Sequence, residues 1–118
     1  MAGSVTIEYE NQLTASVVTW TWTSDSSGDV SGTDTLKLSG QALRFVTDPS
    51  ATAPTADYDI TILDENGVDI AAAALADRHT STSEQVIPDP GPAFSSKLSL
   101  VVANAGNAKI GTLKMYYR

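Results

Sequence analysis

Apolar and polar residues alternate along most of this chain. In "VTIEYE" Val5, Ile7 and Tyr9 share one face, with Thr6, Glu8 and Glu10 on the other. "SVVTWTWTS" is stronger: Val18, Trp20 and Trp22 point one way, and Val17, Thr19, Thr21 and Thr23 the other. A period of two built from β-branched and aromatic residues predicts strands. Residues 24–34, "SDSSGDVSGTD", are polar and carry glycine, which predicts a loop. "TLKLSGQALRFV" then reads as two short strands around Ser39-Gly40-Gln41, with Leu36 and Leu38 inward in the first and Leu43 and Phe45 in the second. "TDPSATAPTA" (47–56) has two prolines and no period, so a connection is expected there.

Further on, Tyr58, Ile60 and Ile62 alternate with Asp57, Asp59 and Thr61, a half-buried strand with its acids toward water. Asp64-Glu65-Asn66-Gly67 is hairpin-turn chemistry, and Val68 and Ile70 should begin the return strand. "AAAALA" (71–76) is the only helix-prone segment, and "DRHTSTSEQVIP" runs as a loop into a short strand near Ile87. After Pro88, Pro90, Gly91 and Pro92, a closing hairpin is expected. Leu98, Leu100 and Val102 share a face in one arm and Leu113, Met115 and Tyr117 in the other, with "AGNA" as the turn. Seven or eight short strands and at most one short helix predict an all-β, antiparallel sandwich or barrel-like domain. A single domain over residues 1–118 is expected, with residues 1–8 as an N-terminal arm.

Composition narrows the function. The chain has 118 residues, 13 serines, 14 threonines and no cysteine. Thiolate metal centres, Fe–S clusters and cysteine nucleophiles are excluded. The formal net charge is −7 and the seven basic residues form no stripe, which disfavours a phosphate backbone as partner. No apolar run approaches a membrane span and the first ten residues lack a signal-peptide pattern. Neither nucleic acid nor membrane is expected as a partner.

The stretch "DYDITILDENGVDIAAAALADRHT" holds six acids and the only histidine. A metal needs several oxygens converging within ~2.0–2.6 Å. Asp57 and Asp59 lie two apart on a strand, roughly 6.5–7 Å along it, and Asp64 and Glu65 sit on a turn. "DSSGDV" (25–30) resembles a calcium loop faintly, but Val30 stands at the glycine position and Leu36 at that of the bidentate glutamate. His79 beside Asp77, Thr80 and Ser81 is no triad, since such groups must converge from separate elements. No catalytic residue, metal or cofactor is expected, and the acids read as the outward face of a hairpin that discourages edge-to-edge aggregation. Trp20 and Trp22 read as a core anchor, or else as an exposed platform for stacking sugars.

Residues 50–118 carry a resemblance. The strand Pro54 to Thr61, the turn Leu63 to Asp69, the Ala-rich piece Ala71 to Arg78 and the closing stretch Asn104 to Tyr117 resemble small structural proteins of tailed bacteriophages, encoded among head and head–tail genes. The resemblance implies a virion protein, made in the host cytoplasm, that decorates or cements the capsid. Its partners would be the major capsid protein or other virion proteins, and copies of itself in a dimer or trimer. A neck, tail or adaptor component, or a carbohydrate-binding or adhesion module, is the alternative. The partner-binding residues expected are Val5, Thr6, Ile7, Glu8 and Tyr9, because an N-terminal arm can add a strand to another sheet. The loops 24–34, 47–56 and 77–96 are further candidates. On this view, deleting residues 1–8 removes particle binding and spares the fold.

Overall fold

The computed structural model describes residues 3–11, 15–31, 33–55, 57–80, 82–88 and 91–118. Eight strands form two antiparallel sheets in a sandwich-like arrangement: β1 (Ser4–Glu10), β2 (Ser16–Thr23), β3 (Leu38–Pro49), β4 (Asp59–Leu63), β5 (Glu84–Val86), β6 (Ala93–Ser96), β7 (Ser99–Ala103) and β8 (Ile110–Tyr117). The large sheet runs β1-β2-β8-β3-β5, with β6 paired to the start of β3. The small sheet is β4-β7, and bridges Val30↔Val102 and Asp34↔Ser99 lay residues 30–34 beside β7.

Side-chain parity decides what lies between the sheets. In register across the large sheet stand Val5, Trp22 and Gly111, then Ile7, Trp20 and Leu113, then Tyr9, Val18 and Met115. From the small sheet Tyr58, Ile60, Ile62, Leu98, Leu100 and Val102 close the core, and Leu75 and Val30 plug it. Trp20 and Trp22 are both 0% exposed, so they are the core anchor and not a platform. Gly111 makes room for one of them: a Cβ there would stand 2.4 Å from Trp22 Cζ2. Large against small across a facing pair keeps the interior close-packed.

Several expectations are corrected. "TLKLSGQALRFV" is not two strands but part of the single long β3, with a bulge between Ala42 and Arg44. The extra residue, Leu43, lets both Ala42 and Phe45 face inward, so a strict alternation fails there. Leu36 lies before the strand and is 67% exposed. The terminal hairpin does not form, because β7 pairs with β4 in the small sheet while β8 sits between β2 and β3 in the large one. Residues 104–109 cross between layers, with Asn104 (φ 64), Gly106 (φ 87) and Ala108 (φ 52) left-handed. Ser24 anchors this crossing: its hydroxyl accepts from Lys109 N at 2.8 Å and donates to Gly106 O at 2.5 Å.

The return strand after the Asp64–Gly67 turn is also absent. Beyond the single bridge Leu63↔Asp69 the chain coils away, and Val68 is 58% exposed. "AAAALA" forms successive tight turns and no helix, with Ala72 (φ 50) and Ala73 (φ 64) left-handed. The cause lies next door. The Asp69 carboxylate accepts from Ala71 N at 3.0 Å, Ala73 N at 2.9 Å and Ile62 N at 3.1 Å. Those bonds bend the chain back so that Leu75 is buried and its carbonyl takes Ile60 N at 3.1 Å.

Candidate functional site

The acidic stretch turns out to be a set of braces. Asp59 accepts from Asp77 N at 2.9 Å and from Asn104 Nδ2 at 2.8 Å. Asp64 accepts from Asn66 N at 2.9 Å and Val68 N at 3.0 Å, closing the turn that Gly67 (φ 77) allows. Glu65 accepts from Lys97 N at 3.0 Å, tying that turn to the end of β6. That backbone bond, helped by Lys37 and Lys97, holds the Glu65 carboxyl below its ordinary range. Asp57 (φ 63) and Asp77 (φ 55) occupy left-handed backbone, a conformation to which Asp is better suited than most residues. The acids therefore organise loops and do more than face water. No three His, Asp or Glu side chains among the described residues gather where a metal ion would sit.

The two other suspected sites resolve the same way. Asp25 accepts from Ser27 N at 2.8 Å and Asp29 N at 3.0 Å, a local turn. The bond from Asp29, then that from Ser27, lowers its carboxyl pKa. His79 Nδ1 accepts from Thr82 N at 3.0 Å while His79 N donates to Glu84 Oε1 at 2.7 Å. Arg78 Nη1 stands 3.8 Å from the same Glu84 oxygen. These contacts pin the loop entering β5, and Ser81, part of the suspected triad neighbourhood, lies outside the described residues.

The interior holds polar atoms that the sequence pattern did not announce. Trp20 Nε1, Trp22 Nε1, Thr47 Oγ1 and Tyr58 Oη are buried with no hydrogen-bond partner among the described residues. Tyr58 packs on Trp22 with ring centroids 5.6 Å apart. Burial pushes the Tyr58 phenol up to about 12, with the nearby Thr47 hydroxyl opposing it. Burial makes the ionised phenol costly in the fold, so stability is unaffected below the unfolded value near 10 and falls as pH rises toward 12, since the unfolded chain then ionises first. Wild type should shed on the order of 2 kcal/mol across that window through Tyr58. Tyr58→Phe should remove this increment and be neutral or stabilising at pH 7, because it deletes an unpaired hydroxyl without changing shape. Urea titrations of both proteins at neutral and high pH check it; identical alkaline losses would refute it.

What remains is surface. Val5, Thr6, Ile7, Glu8 and Tyr9 all lie in β1, paired with β2 from Ser4↔Thr23 to Glu10↔Val17. The expected arm is thus, from residue 4 on, a strand of this domain, because Val5, Ile7 and Tyr9 pack against the core. Residues 1 and 2 lie outside the described residues. β1 ends the large sheet, so its other edge meets no strand among the described residues. It has no proline, lysine or bulge, and of the usual devices that blunt an edge it carries only the charges of Glu8 and Glu10 on the solvent face. The opposite edge, β5, has three residues and is followed by Pro88. Of the candidate loops, 24–34 is bound to β7 and to the 104–109 crossing, 47–49 belongs to β3, and 77–96 contains β5 and β6. The outer face of the large sheet presents Val17, Thr19, Thr21, Thr112 and Lys114 with Tyr116, over whose ring the Arg44 guanidinium lies at 5.1 Å.

No family model matches the chain, and no curated protein sequence matches it. Among solved structures, it is similar to the low-affinity xylan-binding module CBM86 of the gut symbiont Roseburia intestinalis, at 10% identity and a TM-score of 0.46, over 98% of this chain and 85% of that one.

Proposed function

We propose that this chain is a non-catalytic bacteriophage virion protein that binds and stabilises the head shell as a decoration or cement subunit. The observation that carries the reading is β1: a seven-residue sheet edge, without proline or bulge and with no neighbouring strand among the described residues, on a close-packed core. Such an edge offers backbone hydrogen bonds to another chain and needs no pocket. The resemblance of residues 50–118 to phage head and head–tail proteins supplies the setting. Repeated contacts over a lattice multiply a weak interface into stable attachment.

The test is electron microscopy of whole phage particles with gold-labelled antibody to the chain. Label over the heads is expected. Label confined to the neck or tail would favour a ring component there, and unlabelled particles would overturn the reading.

A carbohydrate-binding module is the second reading, and the Tyr116 ring on the outer sheet face, between Val17 and Arg44, is what favours it. It ranks behind because Arg44 covers that ring and both tryptophans are buried. Retardation of the chain in gels containing xylan or other soluble polysaccharides, abolished by Tyr116→Ala, would promote it.

A further inference from the structure

We propose that the edge of β1 that meets no strand among the described residues pairs antiparallel with β1 of a second copy, with the two-fold axis at Ile7, joining two large sheets into one. This rests on the reading of β1 as an assembly edge and names its occupant. The argument is one of parity and charge.

In a continuous sheet the core-facing set Val5, Ile7 and Tyr9 must stand opposite the same set in the other copy, since a one-residue slip would turn every side chain over. Residue positions in each opposed pair must therefore add to an even number, which places the axis on a residue. With the axis at Thr6 or Glu8 only part of the strand overlaps, and at Glu8 two carboxylates meet directly. With the axis at Ile7 the whole span Ser4–Glu10 pairs. Ile7 then faces Ile7 and Val5 faces Tyr9, extending the half-buried apolar face. Glu8 meets Thr6 and Glu10 meets Ser4, so each carboxylate stands opposite a hydroxyl and none opposite another carboxylate. Like charges directly opposite destabilise a sheet, and this register alone avoids them while pairing the whole strand, so it is the favoured one.

The sequence of β1 is self-complementary in that sense, and the short β5 edge has no comparable option. An edge contact of this size makes a weak dimer. Each copy carries a net charge of −7, so the dimer should tighten as salt screens the repulsion.

Sedimentation velocity of the full chain over a concentration series, with no particle present, tests the pairing separately from particle binding. Thr6 is exposed, so its variants should leave thermal unfolding unchanged. T6E sets a carboxylate opposite Glu8 of the other copy and should weaken the dimer tenfold or more. T6K sets an ammonium there and should tighten it several-fold. The chain has no cysteine, so single replacements report the axis. Opposed Cα atoms at ~4.5–5.5 Å lie within disulfide span. I7C should therefore cross-link to itself under mild oxidation, whereas S4C and E8C should not. A chain that stays monomeric at every concentration overturns the proposal. So does a dimer indifferent to both Thr6 variants, or one that cross-links through S4C or E8C in place of I7C.

Discussion

Trp22→Ala should cost roughly 3–5 kcal/mol, the range for truncating a fully buried large aromatic. The indole is 0% exposed, stands in register between Val5 and Gly111, and leans on the Tyr58 ring. Gly111, its neighbour in β8, has no side chain with which to fill the space it leaves. Gly111→Ala attacks the same contact from the other side. Its Cβ would fall 2.4 Å from Cζ2 and 2.8 Å from Cε2 of Trp22, distances that force the ring or the strand to move. Overpacking of that kind costs about 1–3 kcal/mol and sometimes more. With total stability of ~5–15 kcal/mol for a domain, the tryptophan change alone removes a large share. Urea midpoints for wild type and both variants check this. A Trp22→Ala loss under ~1 kcal/mol would mean that the indole does not anchor the core. The sugar-platform alternative would then regain its physical basis.

The all-β class and most inward faces were legible because period-two alternation and burial share one cause, the pleat of a strand between core and solvent. β2, β4 and β8 follow it without a break, so Val18, Trp20, Ile62 and Met115 could be placed from the sequence alone. Alternation fails at Leu43, where a bulge inserts a residue and no local signal marks it. It is silent on which strands pair. β7 and β8 look like a hairpin because "AGNA" is good turn chemistry, yet three left-handed residues route the chain to the other sheet. Helix propensity misled at "AAAALA" for a specific reason: one carboxylate, Asp69, captures two of the segment's N–H groups and outweighs several alanines. Among candidate site residues, the acids were conspicuous in the sequence, but some of their partners come from segments far along the chain. The Lys97 amide on Glu65 and the Asn104 side chain on Asp59 are two such contacts. The edge position of β1 was equally hidden, since edge or interior is a property of topology.

Deletion of residues 1–8 should now be expected to damage the fold, contrary to what a peripheral arm would allow. The deletion removes Val5 and Ile7, which flank Trp22 and Trp20 on their outer side, together with most of the β1–β2 ladder. Two half-buried side chains at about 1 kcal/mol each, plus the lost pairing, amount to roughly 2–4 kcal/mol. Tyr9 survives but loses its strand, and its hydroxyl no longer has a fixed position from which to accept Leu36 N, now at 2.9 Å. The consequence reaches beyond stability. β2 becomes the new edge, and "SVVTWTWT" has seven β-branched or aromatic side chains in eight residues, without a charge or a proline. An exposed edge of that kind templates pairing with other chains. The truncated chain should therefore show a lower urea midpoint and concentration-dependent aggregation by light scattering. If it remains soluble with an unchanged midpoint, β1 contributes nothing to the core. Loss of particle binding by this deletion cannot by itself identify the contact surface, because unfolding would produce the same loss. The exposed T6E change separates unfolding from edge contacts: it leaves the Val5, Ile7 and Tyr9 packing in place, and sedimentation beside particle binding tells a lost dimer from a lost particle contact.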